Sequence, residues 1–172
     1  DENHLIQQGV FTGNQLKNDK VIPTIEQILE ENGCQPDWLE LEITESVIMK
    51  QHGRSFNILQ RLRDHGIELA IDDFGTGYSS LAHLKRLPVS RLKIDRSFIR
   101  DIPQDASNKA IARAVIAMGK SMGLRVIAEG VETNEQRAFL AAEHCDEIQG
   151  YIYGPPLPAK QMTDLLSNRS GL

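Results

Sequence analysis

Cysteine and histidine are scarce in this sequence of 172 residues. Its two cysteines, Cys34 and Cys145, lie 111 positions apart and form no CxxC pair. We therefore expect free, buried thiols in a reducing cytoplasm rather than a disulfide scaffold. The five histidines are scattered over presumed helices and loops, which argues against a histidine zinc site.

Long apolar runs are also lacking. No stretch of 18 apolar residues occurs, so the sequence predicts no membrane span. The polar start Asp1–His4 does not read as a signal peptide. Hydrophobic residues at 40% and charged residues at 25% exclude collagen-like and disordered classes. The length suits a single domain over residues 1–172, or a piece of a larger one.

Positive charge is in deficit, since the net charge is −5, but it is unevenly distributed. The net charge is −7 over residues 1–52, +6 over 53–128 and −4 over 129–172. An acidic protein is a poor candidate for bulk nucleic-acid binding. The basic middle segment suits either one small anionic ligand or ordinary solvated helix faces.

Several enzyme signatures are missing as well. The sequence contains no GxxxxGK[ST] loop, which excludes a P-loop enzyme. It contains no GxSxG elbow, so nothing supports covalent acyl chemistry of that type.

What the sequence does contain is an alternation of short apolar segments and helical patterns. The predicted strands are Trp38–Thr44, Ile67–Asp72, Arg91–Asp95, Arg125–Ala128 and Glu147–Tyr153. The predicted helices are Val21–Asn32, Arg54–His65, Ser107–Met122, a helix that begins after Thr133, and Pro158–Ser167. The predicted caps are Asn18 or Asp19 for the first helix, Ser107 for the third, and a Thr133–Gln136 capping box for the fourth.

This alternation predicts βα units and a parallel sheet. Two α/β architectures fit, namely an open doubly wound sheet and a TIM-type (β/α) barrel. A complete barrel needs about 250 residues, and this chain has room for five or six units. The sequence therefore predicts an open sheet or a barrel that is incomplete at its N-terminus.

Charged and polar residues mark the carboxyl ends of all five predicted strands. They are Glu42, Glu45, Asp72, Asp73, Lys93, Asp95, Glu129, Glu132 and Gln149. Taken singly, each has a structural explanation as a helix-capping turn, a surface ion pair or a loop charge. Together they are hard to explain by packing, because ligands bind at the carboxyl ends of strands in both architectures and unpaired buried carboxylates are costly.

Carboxylate ligands without cysteine or histidine favour Mg²⁺ or Mn²⁺. A carboxylate-held pair of such ions with a nearby lysine suits phosphoester hydrolysis. Asp72 and Asp73 are adjacent, so they point to opposite faces of a regular strand unless the chain turns at Asp73. Lys93 is the candidate for orienting water or contacting phosphate.

Five ordered motifs resemble the later part of the EAL domain family. They are LELEITES at 39–46, IDDFGTGYSSL at 71–81, LKIDRSFI at 92–99, VIAEGVET at 126–133 and QGYIYGPPLP at 149–158. The resemblance runs from about Thr12 to the C-terminus. It implies a TIM-type barrel and hydrolysis of the bacterial second messenger cyclic di-GMP (c-di-GMP) to linear pGpG.

The resemblance also assigns roles to the residues at the strand ends. Glu42 and Asp72 correspond to metal ligands, with Asp72 bridging two cations, and Asp73 and Glu129 complete the second metal's shell. Lys93 corresponds to the residue that contacts the nucleophilic water.

Further residues correspond to supporting positions. Gln149 and Asp95 correspond to substrate-orienting positions. Glu45 corresponds to the anchor of the loop 73–81, which is coupled to the dimer interface, and Glu132 supports the same end of the barrel.

The departures from the family lie at the front of the chain. The Glu-Ala-Leu signature, whose glutamate is a metal ligand in the family, does not occur. The segment 10–15 aligns with a family pattern that begins with an asparagine ligand, and Val10 stands at that position. Three readings follow: a phosphodiesterase that lacks its N-terminal strands, a non-catalytic c-di-GMP-binding or interaction module, and a non-functional remnant. We expect a homodimer or association with missing N-terminal or sensory domains.

Overall fold

The computed structural model describes residues 7–13, 15–18, 20–49, 54–77 and 81–169. Its strands are β1 (Gln7–Phe11), β2 (Leu39–Thr44), β3 (Glu68–Phe74), β4 (Arg91–Ile94), β5 (Arg125–Ala128) and β6 (Glu147–Ile148). Its α-helices are α1 (Val21–Asn32), α2 (Glu45–Met49), α3 (Arg54–Asp64), α4 (Leu81–Leu84), α5 (Ala106–Ser121), α6 (Asn134–Ala142) and α7 (Ala159–Arg169).

The six strands form one parallel sheet in the order β1-β2-β3-β4-β5-β6. Every strand is followed in space by the next strand in sequence, as in the wall of a TIM-type barrel. A doubly wound sheet reverses its order at a switch point, so that alternative is excluded. Within the described residues β1 and β6 do not pair with each other, and the sheet is not closed.

The core lies between the sheet and the helices that cover it. Ile43, Leu69, Leu92, Ile94 and Val126 on the strands are completely buried. Strands covered on both faces are expected to be nearly continuous in apolar residues, which explains their sequence. Charged side chains interrupt this pattern at the strand ends.

The register of the sheet aligns those strand ends. Val10 pairs with Glu42, and Thr44 pairs with Asp72. The β3–β4 register then shifts between Ile71 and Phe74. This irregularity contains Asp73, whose φ of 54° lies in the left-handed region. The strand therefore turns at Asp73, and two adjacent aspartates reach the same end of the sheet.

The helix starts differ from two of the predictions. The residue before α1 is Lys20, whose side chain makes no capping bond; Asn18 lies two residues earlier, and its Oδ1 accepts from the Lys20 N–H at 3.1 Å. Asp19 lies outside the described residues. Asp105 caps α5 by accepting hydrogen bonds from the N–H groups of Ser107 and Asn108. The predicted cap Ser107 is therefore inside the first turn, because the preceding aspartate is the better-placed acceptor. The Thr133–Gln136 capping box is confirmed.

The last predicted strand is much shorter than expected. β6 ends at Ile148, and a 3₁₀ turn covers residues 151–153. At Gly150 a Cβ atom would lie 2.3 Å from the carbonyl oxygen of Val131. Beyond β6 the two backbones remain hydrogen-bonded, since Val131 N–H donates to the Gln149 carbonyl and Ile152 N–H donates to the Val131 carbonyl. The strand β1 was not among the predicted strands.

Both cysteines are free, as predicted, but they are half-buried rather than buried. The Cys145 thiol donates to the carbonyl oxygens of Val126 and Glu147, and its burial raises the pKa of the thiol to about 11. No helix in the described ranges has both the length and the apolar character needed to cross a membrane.

Candidate metal and active site

The charged residues of successive strands meet at the carboxyl end of the sheet. Glu42 lies near the end of β2, Asp72 and Asp73 lie near the end of β3, and Lys93 lies on β4. Glu129 follows β5 directly, and its N–H donates to the carbonyl oxygen of Ile94 at 3.1 Å. Parallel pairing in nearly matched register thus gathers residues that are distant in sequence.

Lys93 is the centre of this group. Its side chain is 3% exposed, and its Nζ contacts Glu42 Oε1, lies 2.6 Å from Glu129 Oε1 and lies 3.7 Å from Asp72 Oδ1. Burial alone lowers the pKa of Lys93, but hydrogen bonds to Glu129 and Glu42 outweigh it and raise the pKa. The ammonium group is therefore a permanent positive charge at neutral pH, among three carboxylates.

Three carboxylates beside Lys93 lie close enough together to hold one cation. One oxygen from each of Asp72, Asp73 and Glu129 lies within 4.8 Å of the other two, and all three residues are half-buried. The backbone N–H of Asp73 donates to Asp72 Oδ1 at 3.0 Å, which holds the Asp72 side chain against the backbone at the turn.

The electrostatics of this set favour a bound cation. Burial raises the pKa of Asp73, and the charges of Asp72 and Asp95 raise it further. Burial also raises the pKa of Glu129, and hydrogen bonding to Lys93 offsets only part of that effect. Crowded, partly desolvated carboxylates repel each other, and a divalent cation relieves that repulsion. An all-oxygen donor set fits Mg²⁺, Mn²⁺ or Ca²⁺.

Glu45 ties the loop after β3 to the start of α2. Its side chain is buried, and its Oε2 accepts hydrogen bonds from the N–H groups of Gly75 at 3.0 Å and Gly77 at 3.2 Å. A Cβ on Gly77 would lie 2.9 Å from Glu45 Oε1. The glycine therefore allows the loop to approach the carboxylate. Residues 78–80 of this loop lie outside the described residues.

Asp95 lies beside Asp73 at the start of a short 3₁₀ turn over residues 96–98. Its Oδ1 accepts from the Ser97 N–H at 2.9 Å and from the Ser97 hydroxyl. Burial tends to raise the pKa of Asp95, but the hydrogen bonds from Ser97 prevail and lower it. Asp95 is therefore an ionised neighbour of Asp73.

Glu132 and Gln149 lie at the same end of the sheet, but they are outside the Lys93 group. Both side chains are exposed, and neither forms a described hydrogen bond or ion pair with the Lys93 group. The Gln149 backbone accepts from Val131 N–H and donates to Ala128. The structure thus joins their backbones to the rim of the site.

Val10 lies beside Glu42 in the β1–β2 register and is 60% exposed. The side chain of Val10 carries no oxygen that could bind a cation.

Two arrangements of polar residues were not predicted. At the opposite end of the sheet Arg91 lies 3.1 Å from the fully buried Glu40 and 3.2 Å from Glu147. Near the site, Gln136 bonds to the loop after β4 as well as to its own helix start. The capping-box pattern of the sequence indicates only the latter bond, so the link between the loops required the fold.

Comparison with known proteins assigns the family. The EAL domain model matches residues 10–156. Cyclic di-GMP phosphodiesterase NbdA of Pseudomonas aeruginosa is 46% identical over 151 residues, which is 88% of this chain and 19% of that protein.

Solved structures give the same result. The PaMucR phosphodiesterase in complex with c-di-GMP has a TM-score of 0.85 at 41% identity, over 90% of this chain and 63% of that one. Klebsiella pneumoniae BlrP1 with manganese and c-di-GMP has a TM-score of 0.80 at 30% identity, over 87% and 38% of the two chains. The chain spans about a fifth of the length of the curated relatives it matches. With the family model and these relatives in agreement, the chain belongs to the EAL domain family.

Proposed function

We propose that this chain is the C-terminal portion of an EAL-type c-di-GMP phosphodiesterase domain, which hydrolyses c-di-GMP to linear pGpG in the bacterial cytoplasm. The observation that carries the proposal is the cluster of Asp72, Asp73 and Glu129 beside the buried Lys93. Membership of the EAL family supports the substrate, because the relatives named above include c-di-GMP phosphodiesterases.

The cofactor that we propose is Mg²⁺ or Mn²⁺. Glu42, Asp72, Asp73 and Glu129 are the proposed ligands, and Asp72 is the proposed bridge between two ions. Such ions lower the pKa of water and stabilise charge on phosphate oxygens when they are bound. The BlrP1 structure with manganese supports this assignment.

Lys93 and Glu129 have distinct proposed catalytic roles. Because Lys93 remains protonated, it donates hydrogen bonds and does not remove a proton. We assign it to holding the attacking water and screening negative charge near the phosphate. Glu129 holds the Lys93 ammonium in place as well as offering an oxygen to the metal.

The surrounding residues have proposed positioning roles. Gln149 and Asp95 orient the substrate and the site. Glu45 keeps the loop after β3 in place through Gly75 and Gly77, and Glu132 supports the loop after β5. In the family this rim is coupled to a dimer interface, so we also propose association with a second copy or with N-terminal sensory domains.

A second function, c-di-GMP binding without turnover, is favoured by one observation. Val10 pairs with Glu42, at a position where the resemblance to the family implies an asparagine ligand, and the 172 residues contain no Glu-Ala-Leu signature. A metal with unfilled protein positions is bound more weakly and held less rigidly. Misplaced reacting groups cost on the order of 100-fold in rate, so we propose that this chain alone turns over c-di-GMP very slowly or not at all.

The test is an HPLC assay for pGpG with Mn²⁺ and c-di-GMP. The chain is measured alone and with an added EAL fragment that carries the Glu-Ala-Leu and asparagine segments. We expect about 100-fold more pGpG in the complemented reaction, and none with the Asp72→Asn chain as the matched control. A complemented chain that makes no pGpG contradicts the phosphodiesterase. Equal turnover by the lone, monodisperse chain contradicts the need for the missing ligands.

The same assay tests the metal. We expect turnover to stop on thorough chelation and to be inhibited by Ca²⁺, because Ca²⁺ has looser geometry and phosphoryl chemistry needs fixed geometry. Turnover that survives chelation contradicts metal dependence.

A further inference from the structure

Gln136 forms more hydrogen bonds than its helix start requires. The side chain is 2% exposed and lies in the first turn of α6. Its Oε1 accepts from the N–H groups of Glu132 at 2.7 Å and Thr133 at 2.9 Å. Its Nε2 donates to the carbonyl oxygens of Ile99 at 3.1 Å and Arg100 at 3.0 Å. One buried amide therefore satisfies four backbone groups.

The two segments that this amide joins each continue from a residue of the candidate site. The segment over residues 95–101 follows Lys93 and the end of β4. The segment over residues 129–133 begins with Glu129 at the end of β5. Where the two segments begin, the Glu129 N–H donates to the Ile94 carbonyl and joins the strand ends. Further along, Gln136 joins the two segments again through its four hydrogen bonds.

The space between the segments shows how closely they approach each other. A Cβ on Gly130 would lie 2.6 Å from Cβ of Arg96. Gly130 has a φ of 68°, which also favours glycine at this position. Gly130 is the neighbour of Glu129 and lies against Arg96. If the two segments move apart or together at Gln136, the backbone next to Glu129 therefore moves with them.

The capping of α6 does not explain why residue 136 carries an amide nitrogen. In a capping box the third helical residue only has to accept from the N-cap N–H, and glutamate does this as well as glutamine. The carbonyl groups of Ile99 and Arg100 need a donor, which glutamate does not offer at neutral pH. The choice of glutamine is therefore explained by the link between the segments.

We propose that Gln136 is a positioning residue that fixes Glu129 relative to Lys93, and that it thereby sets the affinity of the carboxylate cluster for its cation. This inference rests on the proposed metal site. Gln136 acts through the backbone of the two segments and touches neither the metal nor the substrate.

The test compares Gln136→Glu with Thr133→Ala in the 172-residue chain. Gln136→Glu keeps the acceptor for the helix start but places a carboxylate against two carbonyl oxygens. Thr133→Ala removes the cap acceptor of Gln136 N–H and leaves the link between the segments. Gln136→Met, which is neutral, controls for the added charge. We measure hydrogen exchange of both segments, Mn²⁺ affinity by calorimetry and the melting temperature.

We expect Gln136→Glu and Gln136→Met to speed exchange in both 95–101 and 129–133 and to weaken Mn²⁺ binding about tenfold, at the lower end of losses seen for outer-shell partners. We expect Thr133→Ala to lower the melting temperature with unchanged Mn²⁺ affinity. Losses of affinity that track the melting temperature in all three variants would overturn the inference. So would unchanged exchange in 95–101 for both Gln136 variants. A wild-type chain that binds no Mn²⁺ contradicts the proposed function instead, and the exchange data then decide the role of Gln136.

Discussion

Val10 stands at a position where the resemblance to the EAL family implies an asparagine. It lies in register with Glu42, and directly paired residues on neighbouring strands point to the same face of a sheet. Glu42 points towards Lys93, so a side chain at position 10 projects to the same end of the cluster. An oxygen at this position would be available to the cation.

We therefore predict that Val10→Asn strengthens Mn²⁺ binding. The amide oxygen adds a hard ligand on the β1 side, and we expect a gain of about tenfold, which is ~1.4 kcal/mol. Isothermal titration of Mn²⁺ measures it. Val10→Leu is the matched control, since it adds bulk without an oxygen and should leave the affinity unchanged. Equal affinity in Val10→Asn and Val10→Leu would show that position 10 does not face the cation.

At the residue scale, the sequence predicted which side chains lie at the strand ends but not their contacts. Asp72 and Asp73 were expected at one site only if the chain turns, and the positive φ of Asp73 shows the turn. The hydrogen bonds of Gln136 to Ile99 and Arg100 join residues 36 to 37 positions apart. A local capping pattern carries no information about such a partner.

At the scale of elements, the packing of α5 on β5 depends on one glycine. Gly119 is buried in the last part of α5, and a Cβ at this position would lie 2.4 Å from Cγ2 of Val126. Helix propensity alone favours alanine over glycine by about 1 kcal/mol. The contact with β5 opposes this preference because the interior is already close-packed.

We predict that Gly119→Ala lowers the free energy of unfolding by about 1–3 kcal/mol, the usual cost of overpacking a core. Chemical denaturation followed by circular dichroism measures the change. The control is Ala117→Ser, an exposed change on the same helix that should have a small effect. A stabilised Gly119→Ala chain would mean that α5 does not pack against β5 as described.

Element boundaries were predictable where local signals end a segment. The bounds of α1 matched because an apolar pattern stops at Gly33, whose φ is 64°. The end of β6 was not predictable, since QGYIY has the composition of a strand, whereas in the structure Gly150 lies against Val131 and a 3₁₀ turn follows. Likewise β1 is short and polar, and its pairing with β2 makes it a strand.

At the scale of the whole molecule, the described sheet has two unpaired edges. β1 and β6 each hydrogen-bond to a single neighbour. A cleft of about 420 Å³ lies next to β6 and is lined in part by Cys145, Ile148 and Tyr153. Tyr151 and Tyr153 are both about two-thirds exposed. Unpaired edges with apolar surface beside them invite pairing with another chain.

We therefore predict that the 172-residue chain self-associates in solution and that an EAL fragment carrying the missing strands converts it to one defined complex. Size-exclusion chromatography with light scattering measures both states. A fragment with scrambled sequence is the control. A chain that remains monomeric at all concentrations and ignores the fragment would show that its edges are already protected.

The parallel direction of the strands was predictable from the sequence because βα alternation with short connections gives parallel neighbours. The alternation alone does not choose between a barrel wall and a doubly wound sheet, since both have it. The resemblance to the EAL family indicated the barrel, and the observed order of β1 to β6 agrees with a barrel wall. Because the strands pair in parallel register, the carboxylates at their ends lie close together. The central claim is that these carboxylates hold divalent cations.

The most direct test of that claim is calorimetric titration of Mn²⁺ into the wild-type, Asp72→Asn and Lys93→Ala chains. Asp72 is the proposed bridge between two cations, whereas Lys93 contributes a positive charge and no metal ligand. We predict binding by the wild type, no measurable binding by Asp72→Asn and retained binding by Lys93→Ala. Equal loss of Mn²⁺ binding in the two variants, or undiminished binding by Asp72→Asn, would contradict the account.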